Sequence, residues 1–195
     1  MSTALKSIGA AFLIVLLLAG VAAVGYARWT KSVAEADRSL TEGQLDQALG
    51  GYAEAEARFD RVPAVRELLD ADYTRVVGNQ LWLLYRMERY DDVIEKAERS
   101  PERAAPHFWS GLAFFAKARA EEKPEAQLGW LTRSEEELRR AVEAEPGDWD
   151  TKYDFELVSR LAAELRKQPK TPPNQLMQLL RPQPKLGTKP ARRVG

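Results

Sequence analysis

Apolar positions along the chain follow three regimes. Between Lys6 and Arg28 no charged residue occurs, and Ile8 to Tyr26 is continuously apolar or small. Such a run is long enough to cross the roughly 30 Å hydrocarbon core of a bilayer as a helix. From Trp29 to Lys167 apolar residues recur at spacings of three and four, in a composition dominated by the helix formers Ala, Leu, Glu and Arg. Nothing there alternates like a strand for more than a few residues. From Gln168 to Gly195, six prolines and six basic residues leave no room for a packed element. The pattern predicts an all-α chain: an N-terminal membrane anchor over 1–29, α-helical hairpins over 30–167 and a disordered, Pro-rich basic tail over 168–195.

The ends of the apolar run refine the first prediction. Tyr26 and Trp29 stand where an interfacial aromatic belt is expected, with Arg28 and Lys31 beside them. A short tail ahead of a first hydrophobic segment stays cytoplasmic by preference, which puts the body outside as a single-pass protein; a cytoplasmic-facing body differs only in topology. The alternative is a leader cut near Gly25-Tyr26-Ala27, which would release a soluble, secreted repeat-type binding module. Signal-peptide apolar cores run about 7–15 residues, and this one is longer.

Within the body, paired helices are expected. Gly43 offers a turn, after which Leu45, Ala48, Tyr52 and Ala55 recur along one helical face. Tyr90, Val93 and Ala97 repeat that stripe, and Ser100-Pro101-Glu102 predicts a cap and first turn for the next segment. A third unit begins near Pro106, with Trp109, Leu112, Phe114 and Phe115 as apolar anchors. Its second helix is expected at Ser134, where Ser134 and Glu137 have capping-box spacing. Asp148 is placed to cap a last helix, on which Tyr153, Leu157 and Leu161 form a stripe at four-residue spacing.

Composition and charge narrow the function. The chain carries 29 basic and 29 acidic residues and is neutral overall, which argues against a nucleic-acid binder relying on counterion release. Six of the bases (Lys170, Arg181, Lys185, Lys189, Arg192, Arg193) lie in the acid-free tail, leaving 23 bases against 29 acids in the rest. The body is therefore acidic and the tail basic. Without cysteine there is no disulfide, thiol chemistry or cysteine-ligated zinc. The single histidine, His107, has no second imidazole to share a metal, and reads as a helix-start or surface residue. Glu135-Glu136-Glu137 reads as a solvated helix face. Asp148, Asp150 and Asp154 fail as a calcium loop, because the sixth position is Tyr153 rather than Gly and the twelfth is Ser159 rather than Glu. With no phosphate loop or nucleophile elbow either, the expectation is a non-enzyme with neither cofactor nor metal.

The hairpins resemble tetratricopeptide repeats, in which a turn glycine, small residues at helix crossings and a closing proline recur every 34 residues. Gly43, Leu45, Ala48, Tyr52 and Ala55 match one repeat. Tyr90 and Val93 match the next, with Glu88 in place of the turn glycine. Gly111, Ala141 and Pro146 match a third, with an insertion around 121–129. An irregular helical bundle is the alternative. The stretch EPGDWDTKYDFELVSRL further resembles the small anchored tetratricopeptide proteins encoded with MoxR-type AAA+ ATPases and von Willebrand factor A-domain membrane proteins. Asp148, Trp149, Asp150, Lys152, Tyr153 and Glu156 match that group's D-W-D-x-K-Y-N-L-E, while Asp154 and Phe155 depart from it. The resemblance implies a scaffold in the bacterial inner membrane, held in the bilayer by residues 8–26. It would help assemble or activate a partner enzyme together with those proteins, methanol dehydrogenase maturation with metal insertion being one branch.

Partner-binding candidates follow from the same reading. Leu176, Met177, Leu179 and Leu180 form an apolar cluster inside the basic tail, suited to docking a partner or to capping the protein's own last hairpin. Trp82, Trp109 and Tyr153 are candidates for a binding surface, against the alternative that they pack the core.

Overall fold

The structure, a computed structural model, describes the backbone of residues 2–167 and the side chains of residues 12–167. The tail cluster Leu176, Met177, Leu179 and Leu180 lies outside the described residues. All regular structure among the described residues is helical.

Helix α1 (Ser2–Thr41) runs unbroken from the apolar segment into the body. Its side chains from Phe12 to Val24 are exposed, and then Val33 and Ala36 bury a stripe against α2 (Leu45–Arg61). The residue 29 boundary drawn from sequence thus falls inside a helix, with Trp29 packed on Phe59 at a ring separation of 6.0 Å. Pro63 stops α2, because a residue before proline is driven out of the α region, and Val62 sits at φ −134°. The same proline opens the short α3 (Pro63–Leu68). Next come α4 (Asp70–Arg86) and α5 (Tyr90–Ala97). A single 3-10 turn over Glu102–Ala104 leads to α6 (Pro106–Ala120), α7 (Pro124–Ala144) and α8 (Trp149–Lys167).

Packing runs mostly between neighbours in the chain: α1 on α2, α2 on α4, α4 on α5 and α6, α5 on α6, α6 on α7 and α7 on α8. Two apolar cores result among the described residues. The larger joins α1, α2, α4, α5 and the start of α6 around Tyr52, Phe59, Leu81, Leu83 and Val93. The smaller joins α6, α7 and α8 around Leu131, Leu138 and Val158. Small residues set the crossings. A methyl group on Gly51 would lie 2.9 Å from the Ala36 Cβ, and one on Gly111 would lie 2.7 Å from Leu138.

The predicted turns at 43 and 88 share one geometry. Gly43 has φ +77° and Glu88 has φ +59°. In each turn that residue's N–H donates to the carbonyl three back, and the next N–H reaches the carbonyl five back (Gln44 to Ser39, 2.8 Å; Arg89 to Leu84, 2.9 Å). This is the paired-bond helix stop that glycine fills at least cost. Glu88 therefore holds a left-handed backbone without glycine's freedom.

Other boundaries depart from expectation. Ser100 caps no helix; its hydroxyl donates back to the Lys96 carbonyl, and α6 instead starts at Pro106. The stretch read as an insertion is a three-residue link, 121–123, followed by the first turns of α7. Ser134 is consequently mid-helix, fully buried, and donates across the crossing to the Gly111 carbonyl at 2.7 Å. Capping-box spacing recurs inside helices too, and here a serine serves a close helix contact instead.

A polar network ties the first three long helices. The Tyr52 hydroxyl donates to Asp37 at 2.5 Å, and Arg75 donates to both Asp37 oxygens at 3.2 and 3.0 Å. Burial, reinforced by the Asp37 carboxylate, pushes the Tyr52 hydroxyl up to about 12.

Two outcomes are expected. Glu88→Gly should raise stability by about 1 kcal/mol and Gly43→Ala should lower it by a similar amount, read as opposite Tm shifts of the detergent-solubilised chain. Because the folded pKa of Tyr52 lies above its unfolded value near 10, its contribution is complete below pH 10 and is lost as pH rises towards 12. Chemical denaturation across that window should show a stability loss to which Tyr52 contributes on the order of 2 kcal/mol, and Tyr52→Phe should remove that share, leaving the smaller contributions of Tyr73 and Tyr85.

Candidate protein interface and its supports

The first turn of α8 is built by Asp148. Its carboxylate accepts the Asp150 N–H at 3.0 Å and the Thr151 hydroxyl, so the predicted cap is present. The Thr151 hydroxyl, with the two N–H groups beside it, holds the Asp148 carboxyl below the usual carboxylate range. Burial, with Asp150 and Asp148 nearby, pushes Asp154 in the opposite direction.

The packed face of α8 is not the expected one. Thr151, Val158 and Ala162 are buried, and Phe155 and Leu165 join them in the core with α6 and α7. Tyr153 is 69% exposed and Leu161 also faces outward, so the Tyr153/Leu157/Leu161 stripe lies mainly on the outer side. Both faces carry apolar residues at helical spacing, and contact with α6 and α7 buries the one bearing Phe155, Val158 and Ala162. The result is an exposed aromatic pair one turn apart. Trp149 is 77% exposed, and the Lys152 ammonium lies 4.5 Å from its ring centre. Glu156 pairs with Arg160 at 2.9 Å on the surface. Of the matched motif residues, Asp148 caps the helix, whereas Trp149, Asp150, Tyr153 and Glu156 are presented to solvent.

The other aromatic candidates divide. Trp109 is half-buried and lies on Tyr85 of α4 at 5.8 Å and Phe108 at 5.1 Å, which makes it a packing residue joining α4 to α6. Trp82 is exposed on α4. Burial, with Tyr90 and Asp154 nearby, raises the Tyr85 hydroxyl, while Arg119 opposes the shift.

Sequence reasoning missed a polar knot at the start of α6. His107 Nδ1 and the Ser110 hydroxyl both contact one oxygen of Glu137, at 2.7 and 3.1 Å, and Arg140 reaches the other oxygen at 3.2 Å. Glu137 is thus not part of a solvated acidic run but the centre of an α6–α7 clamp. The Ser110 hydroxyl is directed at the Glu137 carboxylate (3.1 Å) and the His107 backbone carbonyl (3.3 Å), not at the His107 imidazole, so the two side chains are not paired as nucleophile and base. The helical offset between His107 and Ser110 was visible in the chain, but their shared partner 27 to 30 residues away was not. Among the described residues, no three His, Asp or Glu side chains are arranged to hold a metal ion.

Hollows flank these features. One of 450 Å³ is lined by Glu102, Arg103, His107, Phe108, Asp148 and Thr151 among others, and another of 420 Å³ lies between α6, α7 and α8. Glu137→Ala should remove the carboxylate that His107 and Ser110 share, while Arg140 keeps Glu136 at 2.7 Å, and lower stability by about 2 kcal/mol, measured by chemical denaturation. Glu136→Ala, on the exposed side, should change it by less than about 0.5 kcal/mol.

No family model, no curated protein and no solved structure matches this chain.

Proposed function

We propose that the protein is a non-enzymatic, membrane-anchored scaffold whose tetratricopeptide-like hairpins hold other proteins. The observation that carries this reading is the exposed aromatic pair Trp149 and Tyr153 at the start of α8. The helix has a complete buried face without them. Large aromatics left in water on a rigid helix are the side-chain types that dominate protein interfaces. Neighbour-to-neighbour packing adds support, because such stacks expose extended surface relative to their cores. The apolar helix supplies the anchor: it is long and apolar enough to span a bilayer and continues into the body without a break.

The partners are, by the resemblance of residues 145–161, a MoxR-type AAA+ ATPase and von Willebrand factor A-domain membrane proteins, in the assembly or activation of a client enzyme. On this reading the body faces away from the cytoplasm. The tail cluster around Leu176 adds a second, weaker contact, and linkage of two weak contacts raises avidity through effective concentration.

Mild cross-linking and affinity capture of the full-length chain from its native membrane should recover an ATPase or A-domain protein of these classes. Substituting Trp149 and Tyr153 together by Ala should reduce recovery by about 30-fold, the loss of a hot spot of some 2 kcal/mol. Helix content should be unchanged. Recovery that ignores the double substitution would remove α8 as the docking surface, and capture of neither class would sink the assembly reading.

A further inference from the structure

The way α1 enters the body fixes which part of the body lies against the membrane. Helices α1 and α2 are antiparallel with a constant register. Trp29 meets Phe59, Ala36 meets Gly51, and Asp37 meets Tyr52, so facing residue numbers sum to about 88. As α2 proceeds beyond Phe59 it therefore descends alongside α1 towards the apolar segment, at about 1.5 Å per residue. Arg61 arrives level with Arg28 or Ala27, and Val62 level with Tyr26. The Tyr26 hydroxyl donates to Asp72 at 3.3 Å, which places the start of α4 at that same height. Between these two fixed points runs α3.

That corner is apolar on its outside. Val62 is 38% exposed and Leu68 is 80% exposed. On α3, Pro63, Ala64, Glu67 and Leu68 share one face by helical spacing, and all four are exposed, while Val65 and Leu69 pack inward. Arg58 and Arg66 are paired with Glu54 and Asp60. Arg28 and Arg61 are exposed, stand at one height, and make no ion pair among the described residues.

We propose that this corner is a second membrane contact: Val62, Pro63, Ala64 and Leu68 sit in the interfacial layer of the bilayer that α1 crosses. Arg28 and Arg61 then meet lipid phosphates. Glu67 on the same face limits the depth to the headgroup layer. The occupant is lipid rather than a protein because the surface is continuous in height with the end of the apolar helix, where the bilayer boundary lies. The contact would stop the body from pivoting about its anchor and give the exposed aromatics of α8 a fixed attitude above the membrane. The proposal rests on reading α1 as a retained anchor.

The cysteine-free chain allows a direct test with single labels. The full-length protein carrying Leu68→Cys, Val62→Cys, Tyr26→Cys, Leu16→Cys or Glu42→Cys, each with an environment-sensitive fluorophore, would be reconstituted in phosphatidylcholine vesicles without quencher, with lipid bearing a shallow nitroxide, or with lipid bearing a deep one. The expected result is loss of fluorescence at positions 68 and 62 comparable to that at a labelled Tyr26→Cys, strong quenching at 16 by a deep nitroxide, and none at 42. Glu42 lies 16 residues beyond Tyr26, about 24 Å along α1. Quenching at 16 but not at 68 or 62 overturns the proposal and leaves the anchor standing. No quenching at 16 overturns both. Position 68 shielded from lipid nitroxide and from aqueous iodide alike means that protein covers the corner, which also overturns it.

Discussion

The crossing of α1 and α2 at Ala36 and Gly51 is the constraint on which the rest of the structure depends. With only 2.9 Å available to an added methyl group at residue 51, the two helices meet nearly backbone to backbone. That closeness sets one register and no other. It brings Tyr52 to Asp37 and Phe59 to Trp29, and through them it seats Arg75 and Tyr73 of α4. Since α1 is also the apolar helix, the register converts the direction of that helix into an orientation for the whole body.

Beyond that crossing, several junctions have a polar clamp as well as apolar contact. Glu56 of α2 takes Gln80 of α4 and Lys96 of α5; Asp91 of α5 takes Lys117 of α6; Glu137 of α7 takes His107; Glu135 of α7 takes Arg166 of α8. Side-chain pairs of this kind contribute modestly to stability when partly exposed, but they specify which helix face meets which. Because contacts are mainly between neighbours, stability is distributed along the stack, and among the described residues α8 is bordered by α7 and, through the smaller core, α6. A helix so placed can offer its outer face to a partner without loosening the core.

Several features were legible in the chain before any packing was known. The apolar run, the helical character of the body, the turns at Gly43 and Glu88 and the cap at Asp148 are local matters, set by period, propensity and turn chemistry within a few residues. The stripes Ala48/Tyr52/Ala55 and Val93/Ala97 were also readable, because each lies on a helix with a single apolar face. The tail lies outside the described residues, so its cluster stays a reading of composition.

What only the tertiary structure decided concerns choices that local rules leave degenerate. Helix α8 has two apolar faces of similar period, and contact with α7 sends Phe155, Val158 and Ala162 inward and Trp149 and Tyr153 outward. Ser134 carries the spacing of a helix start, yet Pro124 opens α7 ten residues earlier and the serine is spent on the Gly111 carbonyl. The clamp between His107 and Glu137 joins residues 30 apart, and nothing short-range encodes it. Periodicity fixes that a helix exists; which of its faces meets a neighbour depends on the shapes offered by residues elsewhere in the chain, and those shapes meet only when the chain is folded.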